Sequence, residues 1–255
     1  MMLRLVLLLA VLAGQVLADE IPPAERLSDT LTMSPELRAM QADETANPAS
    51  LSVLDGEALW NARAGASGKS CADCHGDGAK AMRGVAAHYP AFDAGSGRVL
   101  DLEAKINQCR TERQGAAALP MESRDLLSLT TYVGRQSRGQ LIVSVDPRLV
   151  PTIEKGRQMF NARQGQLNLS CAICHDDNWG RKLGAVTVPQ AHPTAYPIYR
   201  LEWQSVGSLQ RRLRNCMVGM RAEPYVLGSD EFIALETFLM SRAKGLAVET
   251  PGIRP

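Results

Sequence analysis

The stretches "GEALWNARAGASGKSCADCH" (56–75) and "GRQMFNARQGQLNLSCAICH" (156–175) match at a constant offset of one hundred. They share a glycine, an aromatic, Asn-Ala-Arg, a second glycine and Ser-Cys-Ala-x-Cys-His, so the chain must fold two copies of one module. Similarity resumes where "LTTYVGRQSRG" (129–139) lies over "LETFLMSRAKG" (235–245). Between these blocks the offset is 107, which pairs Tyr89-Pro90 with Tyr196-Pro197, Leu102 with Leu209, Ile106 with Leu213 and Cys109 with Cys216.

Each copy reads as a helix running into Cys-x-x-Cys-His, a long Gly/Pro-rich loop, a second helix with the lone cysteine, and a closing amphipathic helix. Leu102, Ile106 and Cys109, like Leu209, Leu213 and Cys216, follow the i, i+4, i+7 spacing of one buried stripe. "VSVDPRLVP" (143–151), with two prolines, reads as the linker between copies. The chain opens "MMLRLVLLLAVLAGQVLADE", in which one arginine, a short apolar run and small residues at Val16 and Ala18 give a secretory signal peptide over 1–18. An N-terminal arm then covers 19–50, with Ser34 and Pro35 starting a short capped helix. The first module covers 51–145 and the second 146–255. No later run is apolar for the ~20 residues a membrane span needs. With 28 basic and 27 acidic residues, and Arg4 lost with the leader, charge gives no reason for a nucleic-acid or membrane partner. Aromatic residues at 5% leave few stacking surfaces for bases.

"CADCH" and "CAICH" are c-type haem attachment motifs. Two thiols a turn apart form thioethers with the vinyl groups, and the adjacent imidazole rises as proximal iron ligand. The bland readings are zinc sites or redox dithiols. Zinc needs four ligands in each copy, and a redox pair gives no reason for the following histidine. The fold class expected is therefore mainly α, a tandem duplication of two class I cytochrome c-like domains plus the arm. The macrocycle supplies core that such small modules lack.

Three sets of residues compete for the sixth iron position: His88 with His192, Met121 with Met220, and Cys109 with Cys216. Methionine is favoured because "LPMESRDLLSLTTYV" is similar to the methionine loop and last helix of ordinary class I cytochromes. The duplication argues otherwise, since at the 107 offset His88 falls on Ala195, His192 on Val85, Met121 on Gly228 and Met220 on Arg113, while the cysteines superpose. A Cys109–Cys216 disulfide and inert buried thiols remain open as structural readings. A thiolate held by iron escapes oxidative pairing and lowers the reduction potential. His88 and His192 are read as surface or supporting residues, and Trp179, Trp203 and Phe238 as packing.

On these two motifs, one further cysteine per copy and "RRLRNCM", the chain resembles the SoxA family, dihaem subunits of the SoxAX cytochrome complex of sulfur-oxidising bacteria. The resemblance spans the mature chain. It implies that Cys71 and Cys74 attach a first haem ligated by His75 and Cys109, and that Cys171 and Cys174 attach a second ligated by His175 and Cys216. It implies an L-cysteine S-thiosulfotransferase of the periplasm, in a heterodimer with a monohaem SoxX-like subunit. The reaction couples thiosulfate oxidatively to a cysteine of a SoxYZ-like carrier. In that family the distal cysteine of the second haem can carry a persulfide, and an arginine four residues before it contacts the substrate. Here those residues are Cys216 and Arg212. Residues i and i−4 share a helix face, and a guanidinium suits a sulfonate. Arg211 and Arg214 point elsewhere, towards a positive rim or plain solvent, and Lys105 is the first copy's counterpart of Arg212. The competing function is a dihaem electron-transfer cytochrome c without a substrate site, ligated through Met121 and Met220.

Overall fold

In each copy the first and last helices cross backbone to backbone, and a glycine permits it. The computed structural model describes residues 21–143 and 146–255, so the leader expected over 1–18 lies outside the described residues. Two 3-10 turns (23–25 and 29–32) and α1 (Pro35–Ala42) make up the arm. The first copy follows with α2 (Ser50–Asn61), α3 (Ala72–His75), α4 (Gly78–Ala81), strands β1 (Ala91–Asp93) and β2 (Arg98–Leu100), α5 (Leu102–Cys109) and α6 (Arg124–Arg135). The second has α7 (Val150–Asn161), α8 (Cys171–His175), β3 (Lys182–Leu183), β4 (Val186–Thr187), β5 (Ile198–Arg200), β6 (Ser205–Gly207), α9 (Leu209–Gly219), α10 (Asp230–Arg242) and β7 (Gly252–Arg254).

A Cβ on Gly56 of α2 would strike the Ser128 carbonyl of α6 and come within 2.6 Å of Tyr132 Cβ. Gly156 of α7 meets the Ala234 carbonyl and Phe238 Cβ of α10 in the same way. One turn on, Trp60 packs on Tyr132 at 5.8 Å and Phe160 on Phe238 at 5.3 Å between ring centroids. These pairs anchor two apolar cores, one around Trp60, Leu129 and Val133 and one around Phe160, Phe232 and Phe238. The last helices start on matching caps, where Ser123 and Ser229 accept from the Leu126 and Phe232 amides.

Strands are where the sequence reading falls short. The 107 offset carries the antiparallel hairpin β1–β2 onto β5–β6, residue for residue. Three-residue strands are too short to show an alternating pattern. The two changes of offset also have structural causes. Between motif and Tyr-Pro, the second copy's extra length holds the hairpin β3–β4. After Cys109 the first copy makes a five-residue π-helical turn over Arg110–Gln114, whereas α9 continues through Cys216 as regular helix. A π turn absorbs one extra residue. Gly65 accordingly packs on the Gln114 carbonyl and Gly165 on that of Met220. Met220 therefore corresponds to Gln114, not to Arg113 as the constant offset gives.

The segment 143–151 is not all linker: Pro147–Leu149 is a 3-10 turn, and α7 starts at Val150 with Pro151 in its first turn, where no amide partner is needed. Ser34 accepts from the Leu37 amide with Pro35 behind it, as the capped start of α1 requires. The arm is tied to the second copy. Ser28 and Thr30 donate to Glu249, the Leu27 amide donates to Gln190, and Asn47 donates to the Pro251 carbonyl. Arg254 of β7, which pairs in parallel with β5, donates to Gln41 at 2.8 Å.

Asp101, Glu103 and Glu236 meet where the copies abut, with Gln210 of α9 donating to Asp101 at 2.9 Å. Burial pushes all three carboxyls up, Asp101 to about 6 and Glu103 to about 8, and the neighbouring acids add to the rise at Glu236. An unfolded glutamate ionises in the ordinary range while the buried one keeps its proton, so stability falls as pH rises through this window. The melting temperature should therefore be higher near about pH 5 than about pH 8. Glu236→Gln should flatten that slope and raise the value at the higher pH, as thermal melts across pH will read.

Candidate functional site

Cys71, Cys74, His75 and Cys109 line a single cavity of about 290 Å³. Its walls are mostly apolar, with Trp60, Val85, Leu102, Ile106, Leu129 and Val133 facing in. The stripe on α5 is thus only half-buried, because it faces a cavity instead of packed side chains. Met121 and His88 are absent from this lining. Met121 lies towards Gly228 at the other copy, and His88 is exposed. Trp60 stacks against His75 with ring centroids 5.7 Å apart and donates its indole N–H to the Gly76 carbonyl.

The second copy builds the same corner with tighter cover. Phe160 takes the place of Trp60, 6.3 Å from the His175 ring. Cys171 and His175 lie on α8, capped by Ser170. His175 Nδ1 bonds the Pro189 carbonyl at 2.7 Å, which fixes the proton there and leaves Nε2 as the free lone pair. Burial lowers the His175 pKa and keeps the ring neutral. Pro189 follows the β3–β4 hairpin, so the inserted segment supplies the orienting carbonyl. His75 and Cys74 are exposed, whereas His175 and Cys174 are half-buried. Burial, with Cys216 next, pushes the Cys171 thiol up to about 12, and the same two causes raise Cys174. The three sulfurs of this copy therefore lie close enough to feel one another's charge.

Arg212 stands beside Cys216 on α9. Burial opposes its charge, but the negative charge of Cys216, followed by Tyr196, outweighs that and holds its pKa above the usual arginine value. Among the described residues its guanidinium has neither a hydrogen bond nor an ion pair. It opens onto a cavity of about 300 Å³ shared with Arg200, His192, Tyr196, Ile198 and Pro189.

Some of the other expectations are met and some need correction. Arg211 does not form part of an open rim: its guanidinium stacks on Trp203 at 4.2 Å and lies 3.9 Å from Glu122. Arg214 is exposed. His192 is not on the surface but 2% exposed, with Nδ1 bonded to the Leu27 carbonyl and Nε2 buried without a partner. Trp179 is exposed, while Phe238 is in the core. Met220 is packed into that same core. All six cysteines are free, so no disulfide joins Cys109 to Cys216.

Residues the sequence did not single out include Pro189, Arg200 and the buried Arg242, whose Nη2 meets Asp176 at 2.6 Å beside the motif histidine. The sites also fit a macrocycle with acidic substituents. Arg110 Nε on the first cavity's wall is a buried donor without a partner, and the thiols and imidazole of the first copy face that same space.

A family model described as the SoxA/TsdA cytochrome c domain matches residues 55–142 and again 155–248. The L-cysteine S-thiosulfotransferase subunit SoxA of Pseudaminobacter salicylatoxidans is 39% identical over 91% of this chain and 82% of its own length. The chain belongs to the SoxA family. The SoxA subunit of Rhodovulum sulfidophilum is 36% identical over 86% of this chain and 77% of that one. A chain in the crystal structure of SoxXA from P. pantotrophus superposes with a TM-score of 0.87 at 34% identity, covering 90% of this chain and 87% of that chain. The mainly α architecture of two cytochrome c domains is thus that of SoxA. No helix among the described residues is long and apolar enough to cross a membrane.

Arg242 is 3% exposed, and its cation also lies 4.7 Å from the centroid of Phe160, the ring against His175. Removing one partner of a buried ion pair costs about 3–5 kcal/mol, because the other charge stays buried alone. Arg242→Leu should cost about that much in a denaturant melt, and Arg242→Leu with Asp176→Leu should cost less than the single change.

Proposed function

We propose that this chain is the catalytic subunit of an L-cysteine S-thiosulfotransferase that carries two covalently attached c-type haems and works in the periplasm. Cys71 and Cys74 would hold the first haem, with His75 and Cys109 as the residues that would ligate its iron. Cys171 and Cys174 would hold the second, with His175 and Cys216. Each bound haem supplies a one-electron acceptor. A SoxX-like monohaem cytochrome is the electron-transfer partner and a SoxYZ-like protein the sulfur carrier.

The observation that carries the reading is Arg212 beside Cys216, without a hydrogen bond or ion pair among the described residues and open to a cavity, on a chain of this family. Its planar cation pairs two sulfonate oxygens of thiosulfate and turns the outer sulfur towards Cys216. The Cys216 sulfur and the outer sulfur form a bond, giving Cys216–S–S–SO₃⁻ and releasing two electrons. The carrier thiolate then attacks the middle sulfur of that group and breaks its bond to Cys216, which leaves as thiolate. No proton is needed when both cysteines react as thiolates. In a resting state Cys216 can hold one further sulfur as a persulfide.

Cys216→Ser should abolish thiosulfate-dependent turnover while intact mass still counts two haems. Turnover at the wild-type rate in that variant would refute the assignment.

A further inference from the structure

The two copies treat one pair of positions in opposite ways. In the first, Lys105 Nζ lies 2.7 Å from Asp93 Oδ1, and Gln108 ties both side chains. Lys105 and the hydrogen bonds of Ser96 and Gln108 hold the Asp93 carboxyl well below the usual carboxylate range, so the pair is closed. The offset of 107 carries Lys105 onto Arg212 and Asp93 onto Arg200. The hairpins agree, since Asp93 pairs across its strand with Arg98 and Arg200 with Ser205, the same register. An acid and a base have become two guanidiniums.

We propose that Arg200 is the second cation of the thiosulfate site, facing Arg212 across the cavity that both line; Cys216 is not on that lining and is linked to it through Arg212, one turn away on α9. The inference rests on reading Cys216 and Arg212 as the thiosulfate-handling pair. Both arginines line the same cavity of about 300 Å³, room for a small dianion and water. Arg200 is 7% exposed, and burial first, then Arg212, disfavours its charge. Two buried like charges are costly unless something negative joins them. Glu202 reaches only Nε of Arg200, at 2.8 Å, and is itself half exposed. The acidic side chain on the lining is Asp29, which burial pushes up to about 7; Lys182 and Arg254 stand with it. A single arginine would suit a carboxylate. Two facing guanidiniums suit a dianion, and the substrate is one.

A haem propionate is a competing oxyanion for the same pair, and kinetics with electrochemistry separate the two. Wild type, Arg200→Ala, Arg200→Lys and Arg200→Asp should be assayed as holoprotein with the monohaem subunit and carrier, with potentials of the second haem measured on the same samples. Losing a charged hydrogen bond should raise KM for thiosulfate about tenfold or more in Arg200→Ala, by a larger factor than kcat falls. Arg200→Asp should be worse than Arg200→Ala, because it restores the first copy's ion pair and captures Arg212. Arg200→Lys should lie nearest wild type, with the potential unmoved throughout. Unchanged KM across the series overturns the proposal, as does a shifted potential at wild-type KM, which gives Arg200 to a propionate. If Arg200→Ala does not fold, the order of the lysine and aspartate variants decides. When wild type turns over thiosulfate and Cys216→Ser does not, a flat Arg200 series defeats this inference alone; a wild type without thiosulfate-dependent turnover defeats both.

Discussion

Contact between two helix backbones at Gly56, repeated at Gly156, sets the geometry on which each domain depends. Only a residue without Cβ lets α2 reach the Ser128 carbonyl and α7 that of Ala234. The close crossing then determines what stands one turn further along. Trp60 and Phe160 are held between the partner helix and the motif histidine, touching Tyr132 or Phe238 on one side and His75 or His175 on the other. The helix pair thus reaches the motif histidine through one aromatic ring. That is why glycine, aromatic and Cys-x-x-Cys-His recur together at one spacing.

From this common frame the copies diverge through two small changes in length. The added β3–β4 segment of the second copy leads to Pro189, whose carbonyl orients His175, while among the described residues His75 has no such partner. The arm, although it precedes the first domain, covers the second through Glu249, Gln190 and Pro251. Both additions bury the second site. In the first copy, the π turn after Cys109 removes the regular helix that α9 keeps through Cys216. Up to the cysteine the helix is regular in both copies, so Lys105 and Cys109 share a face as Arg212 and Cys216 do, and the copies part only beyond it.

Much of this was legible in the sequence. The duplication, the helices that flank each motif and the capped start at Ser34 follow from residue spacing, because helix periodicity and identical blocks are strong signals; that Cys109 joins Cys71, Cys74 and His75 was implied by the family resemblance, the residues alone leaving histidine and methionine open. The strands were not legible, since β1 and β5 are three residues long and are defined by partners far along the chain. Nor was the role of Pro189, which acts through a carbonyl that every residue possesses. Arg200 had a signal that went unused: laying Asp93 over it at the 107 offset shows the reversal of charge directly. Arg211 was misplaced, and the choice between surface and support at His192 stayed open, because their surroundings, Trp203 and the Leu27 carbonyl, come from segments with no sequence periodicity linking them.

Three arginines of the second copy, Arg242, Arg200 and Arg212, are drawn inward, and their compensation falls off in that order. Arg242 is matched by Asp176 at 2.6 Å and lies against two aromatic rings, so its charge is spent on holding the segment after His175. Arg200 is met on one nitrogen by a half-exposed glutamate and rests on Trp203 at 5.2 Å. Arg212 has no carboxylate, and Cys216 is the foremost negative group favouring its charge. A protein selected only for stability would pair all three, as the first copy pairs Lys105 with Asp93. Leaving the last without a hydrogen bond or ion pair keeps its cation open to the cavity one turn from Cys216, which is where the proposed anion would enter.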